Sequence, residues 1–96
     1  MKIEINKENG ILNVALDGRL DTNTAPELDS QLLNNYAGAT SVVIDCEKLV
    51  YISSAGLRVL LSTHKKMKGA MKLVGVCELV MEVLEMTGFA DIWVID

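Results

Sequence analysis

The chain has 96 residues, half of them apolar and 23% charged, with a formal net charge of −4. That is enough apolar material for one folded domain, 1–96, and it excludes a disordered chain; the acidic balance speaks against a nucleic-acid binder that works by neutralising phosphates. No apolar run approaches the roughly 20 residues of a bilayer span, and Met1-Lys2-Ile3-Glu4-Ile5 alternates with charges where a signal peptide is continuously apolar. The expectation is a cytoplasmic protein with no direct membrane insertion.

Residues 2–7 alternate apolar and polar, as a half-exposed edge strand does, and Glu8-Asn9-Gly10 is a turn signal before a second strand from Ile11 to Leu16. Thr24-Ala25-Pro26-Glu27 announces a helix, with capping-box spacing between Thr24 and Glu27 and a proline tolerated in the first turn. Leu28, Leu32, Leu33 and Tyr36 form its apolar face, and Gly38 is its expected terminator. A buried strand over 41–45 follows, then a loop over 46–53, then a helix from near Ser54 to before Gly69. Its apolar positions Leu57, Leu60, Leu61, His64 and Met67 keep three-four spacing.

A further strand is expected over 71–76, then a helix from Glu78 to Thr87. Leu79, Val80, Val83 and Leu84 point inward there, Met81 falls outside that stripe, and Gly88 is the stop. Residues 91–95 read as the closing strand. Strands alternating with helices imply parallel pairing through right-handed crossovers, while the N-terminal hairpin is antiparallel. The fold class is therefore α/β, with a mixed four- to five-stranded sheet, an N-terminal hairpin and three main helices.

Cys46 and Cys77 are too few for a zinc or disulfide framework and read as packing residues. His64, the one histidine, has no second ligand at helical spacing, so no metal is expected. His64, Lys65, Lys66, Lys68 and Lys72 form a basic patch, explained by the negative pole of the helix they end. No nucleotide or metal motif appears, and ten residues of helix would put His64 about 15 Å from Ser54, too far for a nucleophile and its base. No cofactor and no enzyme activity are expected.

The most telling segment is Val50-Tyr51-Ile52-Ser53-Ser54-Ala55-Gly56-Leu57-Arg58, which sets two hydroxyls where a strand gives way to a helix. A serine there can cap the helix, and the free N–H groups and helix dipole also favour an anion, so Ser54 reads as a cap, a phosphate acceptor or both. Functional groups of parallel α/β sheets gather at the C-terminal strand ends, which brings Asp21 and the 45–54 loop to one edge. Gly56 fits a place of close approach. Met67, Met71, Met81 and Met86 suit adaptable protein contacts, and equally irregular cores.

Two motifs occur in order: Gly18-x-Leu20-Asp21-x-x-x-Ala25-x-x-Leu28, and Asp45-x-x-x-Leu49-x-x-Ile52-x-Ser54-x-Gly56-Leu57. Over essentially the whole chain this pattern resembles the STAS domain family of anti-sigma factor antagonists. The resemblance implies phosphorylation of Ser54 by an anti-sigma factor that is itself a serine kinase, reversal by a serine phosphatase, and release of sigma by the unphosphorylated form. It also implies a partner-binding group of Asp21, Ser53, Ser54, Gly56, Leu57 and Arg58. Ser53 stands where the family's usual aspartate would be, which removes a charge beside the acceptor and makes Ser53 a secondary acceptor candidate; Ala55 replaces the usual second hydroxyl.

Phosphorylation adds about −1.5 to −2 charge. Beside Asp21, and Asp45 if it lies at the same edge, like charges about 4 Å apart repel by roughly 4 kcal/mol at an effective dielectric near 20. Even about 2–3 kcal/mol weakens docking roughly 30- to 150-fold. The alternative is a STAS-type accessory subunit of a phospholipid transporter, or of another complex, that docks through the same surface.

Overall fold

Alternation of Ile3 and Ile5 with Lys2, Glu4 and Asn6 gives the first strand one apolar face, and that face decides how the sheet begins. In the computed structural model, which describes residues 1–96, β1 (Lys2–Glu8) and β2 (Ile11–Leu20) pair antiparallel. Asn9 and Gly10 join them with φ of 53° and 79°, the mirror-image turn that a two-residue hairpin needs. Then come α1 (Ala25–Leu33), β3 (Ser41–Ile52), α2 (Ser54–Lys66), β4 (Met71–Val74), α3 (Glu78–Thr87), a 3-10 turn (Phe89–Asp91) and β5 (Val94–Ile95). The strands lie in the order β1-β2-β3-β4-β5, and every pair after the first is parallel. The mixed five-stranded sheet with three helices is the expected architecture.

Because spatial order follows chain order and crossovers share one hand, the helices cover one face. Leu12, Val14 and Leu16 of β2, Val42, Ile44 and Cys46 of β3, and Met71 and Leu73 of β4 are buried beneath them. Their neighbours in the period-two pattern, among them Lys2, Glu4, Asn13 and Asp17, face water on the uncovered side. Lys72 belongs to this second side and pairs with Asp96 at 3.3 Å, so it is not part of the basic patch at the end of α2. His64, Lys65 and Lys66 do occupy the last turn of α2, at the negative pole.

The largest departure from expectation is β3. It runs on through Ile52, where the sequence suggested a loop, and β2 likewise continues to Leu20. The Asp45 carboxylate accepts the Glu47 amide at 3.0 Å, and the register with β2 slips between Ala15 and Asp17 and again between Gly18 and Arg19. These bulges insert extra β3 residues and break the two-residue alternation, so the continuing strand loses its sequence signature. Cys46 is consequently inside a strand rather than at its end, and burial, then Asp45 and Cys77, push its thiol up to about 12, the state of an inert packing residue.

Smaller differences have local causes. Helix α1 ends at Asn34, whose N–H bonds Ser30 O at 3.2 Å, so Leu33 is exposed and Gly38 lies in a later turn. Tyr36 instead turns back to meet the buried Thr63 hydroxyl of α2 at 2.8 Å. Strand β4 stops at Val74 because Gly75 turns with φ 69°. Helix α3 has the predicted span and stops at Gly88 in the left-handed region, yet Leu79 is exposed and Met81 packs against the core, the reverse of the expected roles. Residues 89–91 form the 3-10 turn, leaving β5 only Val94–Ile95, with Trp93 buried and stacked on Phe89 at 4.4 Å.

Candidate functional site

Leu20 and Ile52 end β2 and β3 side by side, and the Ser53 N–H donates to Leu20 O at 2.9 Å. That bond locks the two strand ends together, so the chain leaving β2 (Asp21) and the chain entering α2 (Ser53 and Ser54) start from one edge. Their convergence was legible from topology alone. Asp45 does not join them: it pairs with Ala15, seven residues before Ile52, which at about 3.3 Å per residue is roughly 20 Å away. The expectation that Asp45 adds charge to this edge is therefore wrong.

The two serines divide their roles. Ser53, with extended φ and ψ of −103° and 175°, is the N-cap, and its Oγ accepts the Gly56 N–H at 3.4 Å. Ser54 is the first helical residue, is exposed, and its hydroxyl bonds to no group of the chain. Capping thus falls to Ser53, not Ser54, because the backbone leaves the strand conformation one residue earlier than the motif suggested. A cap of this kind contributes about 0.5–1 kcal/mol.

Gly56 answers a packing need. A Cβ there would sit 2.6 Å from Leu20 Cγ and 3.0 Å from Ile52 Cγ1, so only a glycine lets the first turn of α2 rest on the two strand ends. Leu57 is buried beside it at 6% exposure. Neither side presents itself to a partner; Gly56 and Leu57 set the height and tilt of Ser54 from beneath, a correction to their expected place in the contact group. Arg58, one turn on, is exposed. The motif residues Leu20, Ala25, Leu28, Leu49, Ile52 and Leu57 are all buried, so much of the motif is the packing that holds this edge.

Asp21 is held by its own loop. Its Oδ1 accepts the Asn23 amide at 2.9 Å and the Thr24 amide at 3.2 Å, and its carbonyl accepts the Ala25 N–H at 2.8 Å. Thr24 makes no cap bond; its hydroxyl accepts the Asp21 N–H at 2.9 Å and lies 2.7 Å from Arg19 O. The expected Thr24–Glu27 capping box is replaced by an Asp21 turn, since a carboxylate reaching amides two and three residues on outcompetes the threonine. Arg19 Nε approaches Asp21 Oδ2 at 3.8 Å, and its guanidinium lies 4.1 Å over the Tyr51 ring, a residue not singled out from sequence. The Arg19–Tyr51 pairing depends on the bulged register of β2 and β3.

Desolvation raises the Asp21 pKa, but the amides of Asn23 and Thr24, the Thr24 hydroxyl and Arg19 outweigh it and hold the carboxyl below its ordinary 3.8. A depressed native value means the unfolded chain takes up the proton first as pH falls. The stability Asp21 contributes is therefore complete above the ordinary carboxylate range and is lost as pH drops through the native value. Urea unfolding of the natural chain and Asp21→Asn should show their difference shrinking from pH 6 to pH 3. A difference that grows in acid contradicts this sign.

No group of three or more histidine, cysteine, aspartate or glutamate side chains is placed to hold a metal ion, and no helix is long and apolar enough to cross a membrane. The STAS domain family model matches residues 2–96. The chain belongs to the STAS domain family.

Among relatives of this STAS chain is BtrV of Bordetella bronchiseptica, named as a candidate anti-sigma factor antagonist, 37% identical over 97% of this chain and 84% of its own length. A crystal structure of a candidate anti-sigma factor antagonist from Thermotoga maritima superposes with a TM-score of 0.88, covering 97% of this chain and 84% of that one at 17% identity. The phosphorylated form of SpoIIAA, a Bacillus cell-fate determinant, superposes with a TM-score of 0.76 at 13% identity, covering 99% and 91%. At those identities the structural matches speak for the fold alone.

Proposed function

We propose that this chain is an anti-sigma factor antagonist whose docking surface is the edge carrying Asp21, Ser53, Ser54 and Arg58, and whose switch is phosphorylation of Ser54. The observation that carries the reading is the contrast between the two serines. Ser53 Oγ is committed to the Gly56 amide, whereas Ser54 Oγ is exposed and free. The 37% identity to BtrV supports this partner class over a transporter subunit. The setting is the bacterial cytoplasm, and the chain is a regulatory module rather than an enzyme.

In the unphosphorylated state a neutral hydroxyl at the start of α2 lets an anti-sigma factor close over the edge, which frees sigma. The anti-sigma kinase then transfers the γ-phosphoryl group of ATP to Ser54 Oγ; the hydroxyl proton passes to a base of the kinase and ADP leaves. The phosphate is accommodated by the helix N-terminus, so the fold persists. Its charge and its bound water now oppose the close contact, and Asp21 adds like charge to the same edge. A phosphatase restores the hydroxyl by hydrolysis, releasing inorganic phosphate.

Incubation with the cognate kinase and ATP should add one phosphate, placed on Ser54 by fragment mass spectrometry. A phosphate on any other residue, Ser53 included, overturns the assignment.

A further inference from the structure

The outer side of α3 carries two parallel rows at the same spacing. Leu79, Val83 and Met86 stand at positions i, i+4 and i+7, a line of about 10.5 Å on one helix face. Leu79 is 55% exposed and Met86 87%, while Val83 is half-buried between them. Beside this row, Glu78, Glu82 and Glu85 repeat the i, i+4, i+7 spacing, and all three are exposed. None of them pairs with a cation of the chain, and residues 73–96 contain no lysine or arginine. Like charges at helical spacing repel, and an exposed leucine and methionine on one stripe are unfavourably hydrated.

We infer that this face is a docking seam for a basic amphipathic helix of a partner protein. An apolar stripe flanked by one sign of charge is how a helix selects a helical partner, the apolar row supplying contact and the charged row choosing the mate. A partner carrying apolar residues on one side and lysine or arginine along the margin would cover Leu79 and Met86 and relieve the repulsion among the three glutamates. A second copy of this chain is disfavoured, since pairing α3 with itself sets glutamate rows against each other. An anionic lipid surface is disfavoured by the same charge. The inference does not rest on the phosphorylation of Ser54.

The test uses the full chain, labelled with ¹⁵N, and a synthetic leucine–lysine amphipathic helix of about 14 residues as probe. Amide shifts should concentrate in 78–87. Leu79→Gln with Met86→Gln, and separately Glu82→Lys with Glu85→Lys, should each weaken binding by at least about tenfold. These exposed positions keep helix-forming residues, so circular dichroism should report an intact fold. A scrambled peptide of equal composition should bind at least about tenfold more weakly. The inference is overturned by unchanged affinity in both double variants, by equal binding of the scramble, or by shifts centred elsewhere. It is equally overturned if the face instead drives dimerisation of the free chain or attachment to lipid vesicles.

Discussion

Ser54→Asp is expected to weaken docking of the anti-sigma partner by at least tenfold, within a range of roughly 30- to 150-fold for a penalty of about 2–3 kcal/mol. The effect arises at the interface and not in the fold. Ser54 is exposed at the first position of α2, where a carboxylate is favoured by the helix dipole, so unfolding of Ser54→Asp should match the natural chain or exceed it slightly. Ser54→Ala should keep full affinity and resist the kinase. Ser53→Ala supplies the contrast: it removes the cap to the Gly56 amide and should cost about 0.5–1 kcal/mol of stability, while leaving the acceptor in place. Isothermal titration and urea unfolding of these three variants separate the cap from the switch. Equal docking of Ser54→Ala and Ser54→Asp would remove the charge-based gate.

Gly56→Val is expected to destabilise the chain by about 2–3 kcal/mol, because it forces a branched side chain into a closed contact. The added Cβ would lie 2.6 Å from Leu20 Cγ, a branch carbon fixed in the core and fully buried, so no flexible side-chain tip can swing aside. Either α2 lifts from the strand ends or Leu20 leaves its rotamer. For a domain of this size the loss corresponds to roughly 10–20 °C in Tm. Gly56→Ala should cost less, since replacing a helical glycine returns about 1 kcal/mol of helix propensity. Thermal unfolding of both variants checks the ranking; a valine variant as stable as the natural chain would mean that α2 does not rest on Leu20 and Ile52 as described. A lifted α2 would also displace Ser54, so Gly56→Val should impair docking without touching the partner.

Sequence periodicity was most informative where elements were regular. The span of helix α3 could be read to the residue because Gly88 ends it in a left-handed turn, though Leu79 and Met81 exchanged their expected roles, and the hairpin because Asn9-Gly10 admits little else. The gathering of the chain at Asp21 and at Ser53 and Ser54 on one edge followed from parallel topology, which places strand ends and helix starts together. The second half of β3 was hidden because its bulges destroy alternation, and Cys46 and Asp45 were misplaced with it. The cap moved from Ser54 to Ser53 because one residue of extended backbone is beyond what a motif can register. Gly56 was read as a place of close approach, and the structure bears that out; what approaches it was not legible, since Leu20, whose Cγ comes nearest, ends a strand far earlier in the chain. Arg19 over Tyr51 was invisible for the same reason: that contact exists only in the bulged register.

The most direct measurement compares the dissociation constant of the anti-sigma partner for the untreated chain and for the same chain stoichiometrically phosphorylated at residue 54, by calorimetry at fixed ionic strength. At least a tenfold weakening, with unaltered far-ultraviolet circular dichroism, is the expected result if a single added phosphate gates docking without refolding. Identical constants for the two forms would contradict it.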